Sequence, residues 1–440
     1  MIIIKNVRVI NFNPPEVSEP VDVVIDKNLI LDIGRYISGN YSAEDIIDGQ
    51  GKYISPGLVC AHNHFYSALS RGIIANIPPS SNFQEILKNL WWRLDRALDE
   101  ESLYYSGIVG ALEAIKTGTT SVIDHSASPN YIKGSLTALK NCFEKVGLRG
   151  ILCYEVTDRN GDEGMIAGID ESKAFAELVG KDRIEKNNTR LVEAAIGAHA
   201  SFTISDETLT RLAAIVKESG KGIHIHVAED LSDEVISYNN YELSVIERLE
   251  KAGALNDKSI LAHGVHLSDK EIDIINSFDS FLVHNPRSNM NNSIGFMKKL
   301  SVVKNVALGT DGIGSNMFEE MKIGYFKNQD AGNSLYPADY LQFLFNGNKI
   351  LSRYFNQSFG KIETGKVADM VMYDYQSPTP LNEKNLAGHF IFGFSSRDVE
   401  TVIVNGKIVY RDRTFTFDVK PIYESAQAAA QKLWTKINSI

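Results

Sequence analysis

Five short apolar runs, spread along the chain, each end on a side chain able to hold a cation, and this recurrence restricts the fold more than any other feature. The first is Ile54-Ser-Pro-Gly-Leu-Val-Cys-Ala-His-Asn-His-Phe65, which carries His62 and His64 one residue apart. Side chains alternate between the faces of a β-strand, so both imidazoles project to one side. Alone, such a pair is as compatible with core packing as with metal binding. The other runs are Gly222-Ile-His-Ile-His-Val-Ala-Glu229, Ser259-Ile-Leu-Ala-His-Gly264, Phe281-Leu-Val-His-Asn-Pro286 and Asn305-Val-Ala-Leu-Gly-Thr-Asp311. Each places its polar residue at the C-terminal end of a strand, where a (β/α)₈ barrel assembles its active site.

Strand-like and helix-like stretches alternate strictly through the middle of the chain. Strands are expected at 58–65, 119–124, 148–156, 191–200, 222–228, 259–262, 280–283 and 306–309. Helices are expected at 100–117, 131–146, 206–219, 244–251 and 269–276, several opening on Asp or Ser and closing on Gly. Strict alternation implies a parallel sheet, and eight units imply closure into a TIM-type barrel. Two inserts, 70–100 and 157–190, interrupt the pattern at the catalytic end, where long loops commonly form lids or substrate walls. Trp91 and Trp92, in the first insert, read as helix packing rather than ligand contacts.

Residues 1–53 read as short strands with turn punctuation, too few to be stable alone. Ala368-Asp-Met-Val-Met-Tyr-Asp374 and Val399-Glu-Thr-Val-Ile-Val-Asn-Gly-Lys-Ile-Val-Tyr410 alternate in the same way, the second around an Asn-Gly turn. The expected organisation is a composite β-sandwich of residues 1–53 and 365–420, a barrel of residues 54–364, and a terminal helix over 421–440.

The 440 residues carry a formal net charge of −10, which argues against nucleic acid and anionic membrane, both of which call for basic patches. The expected ligand is a small molecule. Cys60, Cys142 and Cys153 lack any CxxC spacing, so a reducing cytoplasm is the simpler location. The first ten residues alternate too strongly for a signal sequence, and no apolar run reaches membrane-spanning length.

Within the second run, His226 lies nearest the strand end and is the expected ligand, with His224 in a supporting layer. Glu229 then sits at the mouth, where it can hydrogen-bond water. Asp311 is a carboxylate at a strand end and needs a positive partner, since an unpaired buried charge costs several kcal/mol or more. His263 is preferred to His266 because it lies at its strand end.

Taken together, His62-Asn-His64, His226-Val-Ala-Glu229, His263, His284-Asn-Pro-Arg-Ser-Asn289 and Thr310-Asp311-Gly312 resemble the amidohydrolase superfamily. The likeness is greatest to its aminohydrolase and chlorohydrolase branch, which includes guanine, cytosine and S-adenosylhomocysteine deaminases and triazine hydrolases. Leu90-Trp-Trp-Arg-Leu-Asp-Arg-Ala-Leu98 and Asp124-His-Ser-Ala-Ser-Pro129 are similar to SsnA-type aminohydrolases. The resemblance covers nearly the whole chain. It implies one divalent metal held by His62, His64, His226 and Asp311, with Glu229, His263 and Asp311 serving the chemistry. It also implies substrate contacts from His199 and Arg71, a structural His284, and a homodimer as a possible assembly. His125 departs from the pattern, in which an apolar residue is common, and either reaches the pocket or binds a neighbouring loop. The ion expected is zinc, with iron or manganese as alternatives.

The reaction so implied is hydrolytic deamination of a nitrogen heterocycle, purine, pyrimidine or pteridine-like: an activated water attacks an sp² carbon and ammonia leaves. Alternatives are cleavage of a C–Cl bond or a linear amide or amidine by the same apparatus, or a non-catalytic scaffold. HExxH, Walker A and the His-x-Glu/Pro-Cys-x-x-Cys deaminase motifs are absent.

Overall fold

The computed structural model describes residues 1–185 and 189–440. The last part of the expected insert 157–190, residues 186–188, lies outside the described residues. The barrel strands are β1 (Leu58–Asn63), β2 (Thr119–Ser126), β3 (Arg149–Tyr154), β4 (Val192–Ala194, resuming as Ile196–Ala200), β5 (Ile223–Val227), β6 (Ile260–His263), β7 (Phe281–His284) and β8 (Val306–Leu308). All neighbours pair in parallel, in one arc from β1 to the first half of β4 and a second from its other half to β8. Every residue of these strands is buried, as a sheet covered on both faces requires.

Two isolated bridges join the arcs, Val156 with Ala198 and Asn63 with Asp311. At the second, the amides of Thr310 and Asp311 donate to the His62 carbonyl at 2.9 and 3.1 Å. Closure of the barrel therefore carries Asp311 to the first histidine strand. Gly309 permits this approach: a Cβ there would meet Asn285 Oδ1 at 2.4 Å and His62 Cβ at 2.8 Å.

The helix Asp206–Ser219 shows why such segments form where they do. Ser205 accepts the Thr208 amide at its start, and Gly220 takes up left-handed backbone at its end. Ser244 and Ser268 open later helices with capping boxes. The first insert contains helical turns over Phe83–Ile86, Leu87–Trp91 and Trp92–Ala97. The second is largely the helix Gly161–Glu185, with Phe175 and Val179 buried in its core-facing side. Its acidic opening and its glycines, Gly164 and Gly168, obscure the helical period.

Strands from both ends of the chain form one nine-stranded sheet. Ile2–Phe12, Pro15–Asp26 and Leu29–Gly34 make an antiparallel meander. Tyr53–Pro56 pairs parallel to the first of these and antiparallel to Met370–Tyr373, which continues to Val399–Val404, Lys407–Arg411 and Thr414–Phe415. The sheet has its own apolar core, including Val7, Val23, Ile25, Met370 and Ile403. Buried Arg149 fastens it to the barrel: Nε donates to Asp369 Oδ2 at 2.6 Å and Nη2 to Asn405 Oδ1 at 3.1 Å. The helix Lys420–Ile437 packs beside the first insert, where Trp434 Nε1 donates to the Leu69 carbonyl at 2.8 Å and Arg93 Nη2 to the Ile437 carbonyl at 2.7 Å. Among the described residues no helix is long and apolar enough to cross a membrane.

Candidate metal centre and its cavity

Four imidazoles and a carboxylate meet at the C-terminal ends of β1, β5, β6 and β8. His64 Nε2 lies 3.2 Å from His226 Nε2 and 2.9 Å from Asp311 Oδ1, and His62 Nε2 lies 3.5 Å from the same oxygen. Ligand atoms of His62, His226, His263 and Asp311 all fall within 4.8 Å of one another, and those of His64, His125 and His226 form a second, overlapping group. His263, expected to act in the chemistry, thus sits as near the centre as the residues expected to be ligands.

The other ring nitrogen of each imidazole is already committed. His64 Nδ1 donates to the His125 carbonyl at 2.6 Å and His226 Nδ1 to the His199 carbonyl at 2.7 Å. Carbonyl oxygens only accept, so the Nδ1–H tautomers are fixed and the Nε2 lone pairs turn inward. His263 Nδ1 donates to Asn289 Oδ1 at 2.8 Å, and His62 Nδ1 is hydrogen-bonded to His224 Nε2 at 2.8 Å, which puts His224 in the supporting layer. His62 Nε2 and His263 Nε2 are buried without a hydrogen-bond partner. This donor set fits a divalent ion bound by nitrogen and oxygen.

The electrostatics agree. Burial pushes His62 down to about 3 against the opposing pull of Asp311, and burial also lowers His226 and His263. Burial works against a charged His64 too, but its hydrogen bond to Asp311 prevails and leaves it at about 9. Burial would raise Asp311, yet the nearby imidazoles of His62 and His64 hold it well below the usual carboxylate range. A proton on His64 therefore supplies the positive charge that an ion would bring. Glu229, pushed far up by burial and then by the charge of Asp311, lies 3.7 Å from His263 Nε2. Ala228, His263 and Asp311 hold left-handed backbone at φ 45°, 75° and 53°, and strain of this kind concentrates at functional sites.

Residues 53–409 match the family described as "Amidohydrolase family". The chain belongs to this family. It is 33% identical over 399 residues to a 5-methylthioadenosine/S-adenosylhomocysteine deaminase of Thermococcus sibiricus, covering 88% of this chain and 89% of that one. It is 31% identical over 443 residues to a 5'-deoxyadenosine deaminase of Methanocaldococcus jannaschii, covering 97% and 98%. Among solved structures, a zinc-bound adenosine deaminase of Xanthomonas campestris superposes with a TM-score of 0.83 at 22% identity, covering 99% and 98% of the two chains. A zinc complex of an atrazine chlorohydrolase of Arthrobacter aurescens gives a TM-score of 0.81 at 20% identity over 98% and 100%. These likenesses establish the shared barrel fold.

In this amidohydrolase a cavity opens above the centre. His64, His226, Glu229 and Asp311 lie at its floor, and His199 stands on one side. Trp91 and Trp92 pack with Phe83 and Leu87, as their spacing suggested, but all four also line the cavity, so the reading of the tryptophans as packing alone is corrected.

Two other expectations need correction. Arg71 does not line this cavity; its exposed guanidinium is gripped by both oxygens of Glu113 at 2.6 Å, on a separate concavity. His125 is fully buried beneath the centre rather than at the substrate, because Nε2 bridges the carbonyls of Ala198 and His224 at 3.0 and 3.2 Å while Nδ1 faces Glu155 at 3.2 Å.

Three charged residues of the site escaped the sequence reading. Glu155 follows β3 and lies against His125, His199 and Arg159; Asp95 and Arg159 adjoin it. Burial opposes the charge of Glu155, but these cationic and imidazole neighbours hold its carboxyl far below the ordinary range. The available signal was its position: Ile151-Leu-Cys-Tyr-Glu155 is a further apolar run ending on a polar residue.

Proposed function

We propose that this chain is a metal-dependent aminohydrolase that deaminates a nitrogen heterocycle, a purine, pyrimidine or pteridine-like ring. The observation that carries the reading is the convergence of inward-facing imidazole nitrogens on Asp311, in a cavity that Glu229 also lines. The deaminase names of the Thermococcus and Methanocaldococcus relatives support it.

In this reading His62, His64, His226 and Asp311 hold one ion. Zinc suits the donors and is present in the Xanthomonas and Arthrobacter structures. When bound, a divalent ion lowers the pKa of water from 15.7 toward ~7 and so supplies a nucleophile at neutral pH. Glu229 takes a proton from the attacking water and hands it to a ring nitrogen. Asp311 accepts the second proton and passes it to the amino group, which leaves as ammonia. His263, its Nδ1–H anchored on Asn289, presents Nε2 to the attacking oxygen and orients it. His199 contacts the substrate ring.

The same reading assigns the chemistry to residues 54–364 and a bracing role to 1–53 and 365–420, with 421–440 packed on the barrel as a terminal helix. It places the enzyme in the cytoplasm, where its three free, buried cysteines stay reduced, and treats it as a homodimer acting on small molecules rather than nucleic acid. The test is ammonia release by the zinc-loaded protein from a panel of aminopurines, aminopyrimidines and aminopteridines. Turnover of at least one ring class is expected. Zinc-loaded protein inactive on all of them, but active on chlorinated triazines or linear amidines, would replace deamination with one of those reactions.

A further inference from the structure

The part of the cavity lining formed by Asp95 and Glu155, with Arg159 paired to both, takes no part in the chemistry described above. Asp95 and Glu155 are each 3% exposed, and both line the cavity. They share one guanidinium nitrogen: Arg159 Nη2 lies 3.2 Å from Glu155 Oε1 and 3.5 Å from Asp95 Oδ2. The other carboxylate oxygen of Asp95, Oδ1, is buried and accepts no hydrogen bond. Among the described residues no lysine or second arginine forms an ion pair with either carboxylate.

Two buried carboxylates of the cavity lining thus share one guanidinium, and one oxygen of Asp95 accepts no hydrogen bond. Leaving a buried charged acceptor unsatisfied is costly. The Arg159 guanidinium lies over the Trp92 ring, 4.5 Å from its centroid, a cation–π contact that helps fix its position. Burial first, and the charge of Glu155 next, push the carboxyl of Asp95 up to about 7 despite Arg159. Hydrogen-bond donors arriving with a ligand would relieve that opposition.

We propose that Asp95 and Glu155 make this wall a reader of N–H donors, so that the preferred substrate is a heterocycle carrying a second amino group besides the one that leaves. The assignment rests on the deaminase reading for the chemistry but not for the binding. A ring whose far edge offers only bare nitrogen acceptors would face Asp95 Oδ1 unpaired, and a site built to bond a donor discriminates strongly against an analogue lacking it.

The test uses matched rings that share a leaving amine: adenine against 2,6-diaminopurine, and 4-aminopyrimidine against 2,4-diaminopyrimidine. Ammonia release gives KM and kcat for the zinc-loaded protein, and calorimetric titration gives Kd independently. At least one diamino ring is expected to bind roughly 10- to 100-fold more tightly than its monoamino partner, the ratio for a hydrogen bond to a charged acceptor. Asp95→Asn, which turns an acceptor into a donor at nearly constant volume, is expected to erase that ratio chiefly through KM. Glu155→Gln is expected to shift it in the same direction and covers the case in which the first variant fails to fold. Equal binding within both pairs, no binding of either diamino ring, or a preference that survives in a folded variant overturns the proposal. Tight diamino binding without ammonia release would refute the deaminase reading and leave this one standing; deamination without preference would do the reverse.

Discussion

The Nε2 atoms of His64 and His226 face each other at 3.2 Å, each on a ring whose other nitrogen is tied to a main-chain carbonyl. Two lone pairs held that close repel unless a proton or a cation lies between them, and here the proton belongs to His64, bonded to Asp311. An arriving ion displaces that proton. Zinc should therefore bind with proton release and stabilise the fold by about 2.7 kcal/mol when free metal exceeds its Kd a hundredfold. Thermal unfolding with and without chelator checks this, and His226→Ala should lose both the bound zinc and the shift.

Glu229 lines the cavity beside His263 and is assigned the proton transfer. Glu229→Gln keeps the shape but neither takes nor gives a proton. Zinc content should stay near that of wild type while kcat falls by roughly 10²–10⁴. Elemental analysis and ammonia release on the same sample measure the two quantities. Undiminished turnover would remove Glu229 from the mechanism.

The groups that aim the ligands are also exposed to test. Ser288 Oγ donates a short hydrogen bond to Asp311 Oδ2, the oxygen opposite the one facing the imidazoles. Ser288→Ala should weaken zinc by about 10- to 100-fold, as loss of an orienting partner does. Competition against a chromophoric chelator reads the change, and wild-type affinity in the variant would show that Asp311 needs no such support.

Asp99 begins the helix Glu100–Lys116 with a capping box and forms an ion pair with Lys436 of the last helix. Burial opposes its charge, but Lys436 and Ser102 together outweigh it and hold the carboxyl down at about 2, below the unfolded value of 3.8. Its charge therefore stabilises the fold fully above about pH 4, and that contribution fades as pH falls toward 2. Asp99→Asn retains the cap and removes the charge. Because the side chain is 44% exposed, solvent screening limits the cost to about 0.2–1 kcal/mol near neutral pH. Urea unfolding of both proteins at pH 7 and pH 3 should show the gap narrowing; a gap that widens in acid would contradict the assignment.

The strand-end histidines were legible because period two fixes which residues share a face, and an apolar run fixes where the strand stops. His62, His64, His226, His263 and Asp311 all lie where that logic placed them, at one end of one barrel. Arg71 and His125 could not be placed so, since loop paths and the inward or sideways turn of a buried ring depend on packing across other strands. The same limit hid the dual position of Trp91 and Trp92: a residue can be a helix contact on one side and a cavity wall on the other. Asp95 lies in the first insert and nothing local marks it; its company with Glu155 and Arg159 exists only once the insert folds over the barrel.

The pairing of Tyr53–Pro56 with Met370–Tyr373 has a consequence for biosynthesis. The strand leading into β1 leaves the ribosome long before its neighbour on one side, which follows all eight barrel strands. Until then the nascent polypeptide carries an open strand edge, the kind of edge that recruits other chains. Synthesis from one end to the other thus leaves the barrel's support for last, and contacts so distant in sequence form slowly. Pairing of Met370–Tyr373 with this edge removes that hazard.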